Sequence, residues 1–458
     1  MLVRFAVQNF LSFKDSTEFS MAAGKIVRHS NHLIVHNNQR ILKGAFLFGA
    51  NAGGKSNFIR AIDFARNIIV KGLDAVNCDK KYFRIEEDYR TKPGVFQFDF
   101  ISNGHSYSYG FAISYLDESI EEEWLYQTDE KELCVFFRHP SEDGRTTIVE
   151  TDLCFDNEEQ KQRFRVFSES IGNPKMRKIL FLTDVDIRSP DEPEYQAFRD
   201  VLNWFRYLMI IFPFSRSGSV YQLLDNTAER GQFSKLLNYF DTGIEAVSKK
   251  ESNFDQLFCE IPDKSRENLK LNIAKHLQNA GHKGKTVMRF DDELVEVQYR
   301  DGNLYANAIV SNHGNDKDLF DYADESDGTR RLFDLIPVYQ AAMENRVILI
   351  DEIDRSLHSK VTQEFIRYFY DLTDGVATQI IATSQDLSIM DLDFLRQDEI
   401  WFIERQADHS SKLYSLNKYK ARFDKKVEKD YLLGRYGATP IFRQFSLMES
   451  EEEGELNE

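Results

Sequence analysis

The tightest constraint on how this chain can fold is one loop, Gly49-Ala50-Asn51-Ala52-Gly53-Gly54-Lys55-Ser56, which fits G-x-x-x-x-G-K-[ST] at every fixed position. Its glycines let the backbone curl until N–H groups face an anion, Lys55 adds a cation for β- and γ-phosphate oxygens, and the Ser56 hydroxyl is set to ligate Mg²⁺. Such a loop needs a buried strand before it and a helix after it. Both are present: 41–48 is an apolar run, and Phe58, Ile62, Ala65 and Ile69 recur at spacings of four, three and four, which is one helical face. An α/β core therefore begins near the start of the chain.

A second element lies far downstream, at Arg346-Val347-Ile348-Leu349-Ile350-Asp351-Glu352. Four apolar residues suit a strand buried on both faces, and the carboxylates follow at its carboxyl end, where parallel sheets place ligands. Asp351 is placed to hold Mg²⁺ through water, and Glu352 to polarise an attacking water. Between the two, Ser326-Asp327-Gly328-Thr329-Arg330 opens a helical stretch, 331–343, that Pro337 kinks. A small hydroxyl residue and a glycine there make an anion site from backbone N–H groups, or simply a capped helix start.

The remaining pattern sets the organisation. Residues 2–7 alternate as a strand, and 95–115 form a hairpin about Ser102-Asn103-Gly104. Residues 119–318 change character, with helical stretches at 157–170, 192–211 and 264–279 broken at Gly172-Asn173-Pro174, Ser189-Pro190 and Gly281. No heptad pattern persists there, which argues against a long coiled-coil arm. From 347 the α/β pattern returns, with Val361, Phe365, Tyr368 and Leu372 on one helical face and strands at 379–383 and 399–403. Four segments are expected: an N-terminal lobe with the phosphate loop (1–118), a mostly helical insert (119–318), a C-terminal lobe (319–418), and a short helical stretch with a disordered acidic tail (419–458, the tail being 449–458).

Charge narrows the partners. A net charge of −17 and a pI near 5.2 exclude a surface that is basic all round, so any nucleic-acid contact must be local. Cys78, Cys134, Cys154 and Cys259 show no metal-ligand or redox spacing and are expected to be buried thiols in a reducing, cytoplasmic compartment. The longest apolar run, 204–214, is interrupted by Arg206 and spans about half a membrane.

The set GANAGGKS, SDGTRR, LIDEIDRSLH and the opening VQNFLSF resembles ABC-type ATPases of the SMC, RecF and OLD group. That resemblance implies an ABC-type ATPase head: a mixed central sheet, a flanking antiparallel β-region, and a bound ATP with Mg²⁺. It also implies site roles. Gly49, Asn51, Gly53, Gly54, Lys55, Ser56 and Asn57 would bind nucleotide, with Ser56 and Asp351 toward the metal and Glu352 catalytic. Ser326, Gly328 and Thr329 would be the signature that meets the partner subunit's nucleotide, and Asp354 would be the D-loop aspartate. More narrowly, MLVRFAVQNFLSF and the late segment Tyr431-Leu432-Leu433-Gly434-Arg435-Tyr436-Gly437-Ala438 resemble stand-alone AAA-type ATPases of bacterial abortive-infection loci, of the AbiL and RloA kind. These imply a nucleotide-dependent switch, a dimer of heads and a separate, nuclease-like effector.

Two departures stand out. Where the family carries a histidine against the γ-phosphate, this chain reads Ala382-Thr383-Ser384-Gln385-Asp386, so Gln385 takes that place. The family's Mg²⁺-binding glutamine has no counterpart; Gln97, the nearest, sits in an alternating strand. An alternative from the same resemblance is a DNA-maintenance ATPase of the RecF or SMC kind. The missing arm and the acidic balance weigh against it.

Overall fold

Five strands lie parallel in the spatial order Met209–Ile211, Val347–Ile350, Gln379–Thr383, Gly44–Phe48 and Ile400–Arg405, and Ser411–Ser415 adds an antiparallel edge. This is seen in a computed structural model that describes residues 1–141, 147–189, 192–213, 219–279, 285–290, 293–300, 302–419 and 426–440. The acidic tail and the break expected at Gly281 lie outside them. The three middle strands are buried at every residue because both sheet faces are covered. Alternation divides their side chains: Ala45, Leu47, Leu349 and Ile381 join one core with the helix Lys55–Lys71, and Phe46, Phe48, Ile348, Ile350 and Ile380 join another. That second core includes Phe365 and Phe369 of Ser359–Leu372 and Leu332 and Phe333 of Asp327–Leu335.

A second, antiparallel sheet runs in the order Thr147–Glu150, Glu132–Pro140, Ser119–Thr128, His105–Ser114, Gly94–Ser102, Leu2–Gln8 and Thr17–Ser20. The expected hairpin at 95–115 is its centre, turned at Asn103 (φ 49°) and Gly104 (φ 87°) between the paired Ser102 and His105. Its phenylalanines Phe96, Phe98 and Phe100 bury against the same core as the phosphate-loop helix, and this ties the two layers together.

Several expectations need correction. The boundary at 118 passes between two hydrogen-bonded strands, with Ser114 paired to Ser119, and the antiparallel sheet extends to Glu150. The region 119–318 is mixed: the expected helices appear as Glu158–Ile171, Gln196–Arg206 and Asp263–Asn279, but Ala246–Asn253, Lys285–Phe290, Glu293–Arg300 and Asn303–Asn312 build a third sheet with its own small core. Residues 209–211 are the edge strand beside Val347–Ile350, not the end of a helix, since a short apolar run has no period that separates the two. The run 41–48 is two strands: Gln39–Leu42 pairs back on Leu33–His36, and the central strand starts after Lys43, whose buried amine donates to the Thr373 carbonyl. Of the cysteines only Cys78 is buried; Cys154 and Cys259 are exposed. The kink at Pro337 is a break between Asp327–Leu335 and Pro337–Ala342. Among the described residues no helix is long and apolar enough to cross a membrane.

Candidate nucleotide site

The phosphate loop leaves the carboxyl end of Gly44–Phe48, and the helix begins at Lys55. Gly54 caps that helix at φ 111°, a backbone region costly for any residue with a Cβ, and a Cβ there would stand 2.2 Å from the Ser411 hydroxyl. Lys55 is 7% exposed and donates to the carbonyls of Gly49 (2.6 Å) and Ala50 (3.2 Å). Burial pulls its pKa below the usual lysine value, and the charges of Asp354, Glu352 and Asp351 push it back up. A cation held this way on two carbonyls exchanges neutral acceptors for charged ones when a phosphate arrives.

The strand Gln379–Thr383 lies between the loop strand and the acidic strand, so its last residues reach both. Asp351, 2% exposed, accepts from the Ser56 hydroxyl at 3.1 Å and from the Thr383 hydroxyl at 2.7 Å on the same oxygen, Oδ1. Thr383 also accepts from the Glu352 N–H at 2.8 Å. Glu352 adopts φ 51°, left-handed for a non-glycine residue, and that strain at a candidate catalytic position is upheld by the Thr383 contact. Ser56, Asp351 and Glu352 line a cavity of about 620 Å³ together with Phe10, Phe64 and Phe212. The donor set suits a hard divalent cation: a neutral hydroxyl and one carboxylate, with the remaining positions left to phosphate and water.

Asp354 accepts the Gln385 backbone N–H at 3.0 Å. Gln385 is exposed and borders a second cavity, of about 760 Å³, together with Gly49, Asn51 and Gly53. Ser384 borders it too, but its hydroxyl accepts from the Asp386 N–H of its own turn. Asn57 sends its amide to the Ser12 hydroxyl at 2.8 Å, which fixes the N-terminal turn beside the loop. Gln97 belongs elsewhere, its amide donating to Asp99 and Ser108 on the flanking sheet.

Ser326, Gly328 and Thr329 line neither of the two cavities. Ser326 caps the helix Asp327–Leu335 by accepting from the Thr329 N–H at 3.1 Å. A Cβ on Gly328 would sit 2.9 Å from the Ser356 carbonyl, which places this helix start against the segment that follows Glu352. One residue missed by sequence reasoning joins them. Arg331, 3% exposed, donates through Nη2 to the carbonyls of Asp351 (3.1 Å) and Glu352 (2.9 Å), and through Nη1 to that of Phe212 (3.3 Å). In the sequence it is one of two arginines in a helix and carries no sign of burial. Thr383 was equally invisible, an ordinary strand-end threonine.

A parallel sheet that carries a phosphate loop on one strand, an acidic pair on another, and a polar strand end between them defines a phosphate-loop nucleotide-binding core. The chain belongs to an AAA family: the family model described as "AAA domain, putative AbiEii toxin, Type IV TA system" matches residues 45–391. The matched residues take in both the phosphate loop and the acidic strand. Among solved structures it is similar to an SMC head bound to the C-winged helix domain of ScpA (16% identity, TM-score 0.38, covering 91% of this chain and 98% of that one). It is also similar to the SMC head domain from Thermotoga maritima (10% identity, TM-score 0.35, 90% and 98% covered). A comparison with curated proteins finds no match.

Proposed function

We propose that the chain binds ATP with Mg²⁺, hydrolyses it slowly, and acts as a nucleotide-dependent switch whose closed form is a dimer of heads. The observation that carries this is the convergence of the Ser56 and Thr383 hydroxyls, from opposite ends of the sequence, on one buried carboxylate oxygen of Asp351. Lys55 would move from the Gly49 and Ala50 carbonyls to the β/γ oxygens. Ser56 and Asp351 would hold the cation, which supplies charge neutralisation on the phosphates. Glu352, its backbone fixed by Thr383, would orient and deprotonate water. Gln385 would donate one amide hydrogen bond to the γ-phosphate but, unlike histidine, could add no positive charge there.

The signature residues support the dimer. Ser326, exposed, caps a helix N-terminus, and Arg331 links that helix to Asp351 and Glu352. A partner's nucleotide seated on Ser326 would then bias the acidic segment of the same chain. The family description names a putative toxin of a toxin–antitoxin system. From the likeness to abortive-infection ATPases we infer a role in anti-phage defence in which this chain controls a separate, nuclease-like effector in the cytoplasm. Expressed alone, the protein should be tolerated by cells and should cut neither DNA nor RNA. Metal-dependent cleavage by the pure chain, lost on mutation of carboxylates outside the ATP site, would overturn the separate effector, and failure to bind ATP would overturn the whole reading.

A further inference from the structure

Residues 431–438, Tyr-Leu-Leu-Gly-Arg-Tyr-Gly-Ala, take no part in the site as described above, yet they lie directly against the phosphate loop. The helix Val427–Leu432 ends in a tight return through Gly434 (φ 73°), Gly437 (φ 71°) and Ala438 (φ 57°). The return is clasped from several sides. The Tyr436 carbonyl accepts from the hydroxyls of Tyr414 (2.6 Å) and Tyr419 (3.3 Å), and the Ala438 N–H donates to Glu404 Oε1 at 3.1 Å. The rings of Tyr431 and Tyr436 lie within 9° and 17° of parallel to Phe402, on the strand beside the loop strand. Gly437 has no alternative, since its φ is left-handed and a Cβ would meet the Tyr414 hydroxyl at 2.7 Å.

All of this presents one atom to the site. The Ala438 carbonyl accepts from the Tyr431 hydroxyl at 2.8 Å and from the Ala50 N–H at 2.8 Å. The peptide unit between Gly49 and Ala50 is therefore held at both ends, its N–H by Ala438 and its carbonyl by the Lys55 ammonium at 2.6 Å. When Lys55 leaves that carbonyl for a phosphate, the grip from Ala438 is what remains. Burial pushes the Tyr431 hydroxyl up to about 12, so it stays a donor at any working pH.

We propose that segment 431–438 is a clip that positions the phosphate loop, with Ala438, Tyr431 and Glu404 as positioning residues that hold the first bend of the loop in its nucleotide-accepting shape while Lys55 changes partners. This rests on the ATP-binding reading above. The clip holds the Ala50 N–H on the Ala438 carbonyl, and the Gly53 N–H closes the same bend on the Ala50 carbonyl at 3.1 Å. Loss of the clip raises the entropy that must be removed on binding, so its effect falls on nucleotide affinity before it falls on the fold.

The experiment is calorimetry of the full chain with ATP and Mg²⁺, paired with thermal melting. Ala438→Val sets a β-branched residue at a left-handed φ and should weaken ATP binding about tenfold, while Ala438→Gly, which accepts that backbone, should stay within about twofold of the unsubstituted chain. Tyr431→Phe removes only the second donor to the Ala438 carbonyl and should weaken binding about threefold with a melting temperature close to the parent's. If Ala438→Val does not fold, Tyr431→Phe decides. Unchanged affinity in both Val and Phe variants, or equal loss in Val and Gly, overturns the clip. No binding by the unsubstituted chain overturns the ATP reading itself and the clip with it.

Discussion

The loop side of the site and the signature side are built to different degrees of completion. Around Asp351 the chain already supplies several partners: Ser56 and Thr383 on one oxygen, the Glu352 N–H on Thr383, and Lys55 on two carbonyls. Around Ser326 the polar groups turn inward on their own helix start, as an ordinary N-cap. The first arrangement is preorganised for a ligand. The second, on the proposed reading, gains a ligand only when another molecule brings one. A half-site that is complete in one chain and a half-site that is not are what a nucleotide-gated dimer requires.

The sharpest way to break that contrast is to remove the loop's cation. Lys55→Ala should weaken ATP binding by two or more orders of magnitude, about 3 kcal/mol or more for charge-assisted contacts in a partly buried site, with the melting temperature of the free protein little changed. Unaltered affinity by calorimetry would remove the loop from the site.

Next in size is the proposed catalytic carboxylate. Glu352→Gln should keep ATP affinity, lower turnover about a hundred- to a thousandfold, roughly 3–4 kcal/mol of barrier, and accumulate ATP-dependent dimers in light scattering. The signature side is then tested in the same background. Gly328→Asp should block closure, but it would also strike its own Ser356 carbonyl, so Ser326→Arg on the exposed cap is the cleaner block. Dimers that form without ATP, or that survive Ser326→Arg, would contradict the incomplete half-site.

A smaller effect is expected at Gln385, where the resemblance implies a histidine. Gln385→His should raise kcat about tenfold and Gln385→Ala lower it, with ATP affinity steady, since about 1.4 kcal/mol of transition-state stabilisation is at stake. Steady-state phosphate release unmoved by either change would take Gln385 out of the site and leave the slow switch without its proposed cause.

How much of this was legible in the sequence follows from how local each feature is. The loop, its helix and the acidic strand are contiguous patterns, and they fold as their periods dictate: Phe58, Ile62, Ala65 and Ile69 are all buried. Features that depend on a distant partner left no mark. Met209–Ile211 is a strand only because Val347–Ile350 lies beside it, and the sheet 246–312 has weakly patterned strands such as AVSKKESN, whose lysines and glutamate disguise it. Arg331 and Thr383 are invisible for the same reason, because their chemistry is set by carbonyls and carboxylates that only the fold brings near. The segment 431–438 shows through a likeness of sequence, but its grip on Ala50 spans nearly the whole chain.

Thr383 gives the smallest and most discriminating test, because it touches both carboxylate residues and neither the nucleotide loop nor the signature. Its hydroxyl is completely buried, donates to Asp351 Oδ1 at 2.7 Å and accepts the Glu352 N–H at 2.8 Å. Valine keeps its shape and removes both contacts, which leaves a backbone N–H without its partner at the residue whose φ is already left-handed. One unmade bond of this kind costs about 1–3 kcal/mol of stability. Catalysis should suffer less than from Glu352→Gln, because the carboxylates remain and only their aim is loosened. A fall in kcat of about three- to tenfold with ATP affinity within twofold is expected. Serine restores the hydroxyl without the methyl and should recover most of the rate while keeping a small packing defect, which separates the hydrogen bonds from the shape. If Thr383→Ser is as slow as Thr383→Val, packing and not hydrogen bonding sets the geometry of Asp351 and Glu352, and the loop side of the site is less preorganised than its contacts indicate.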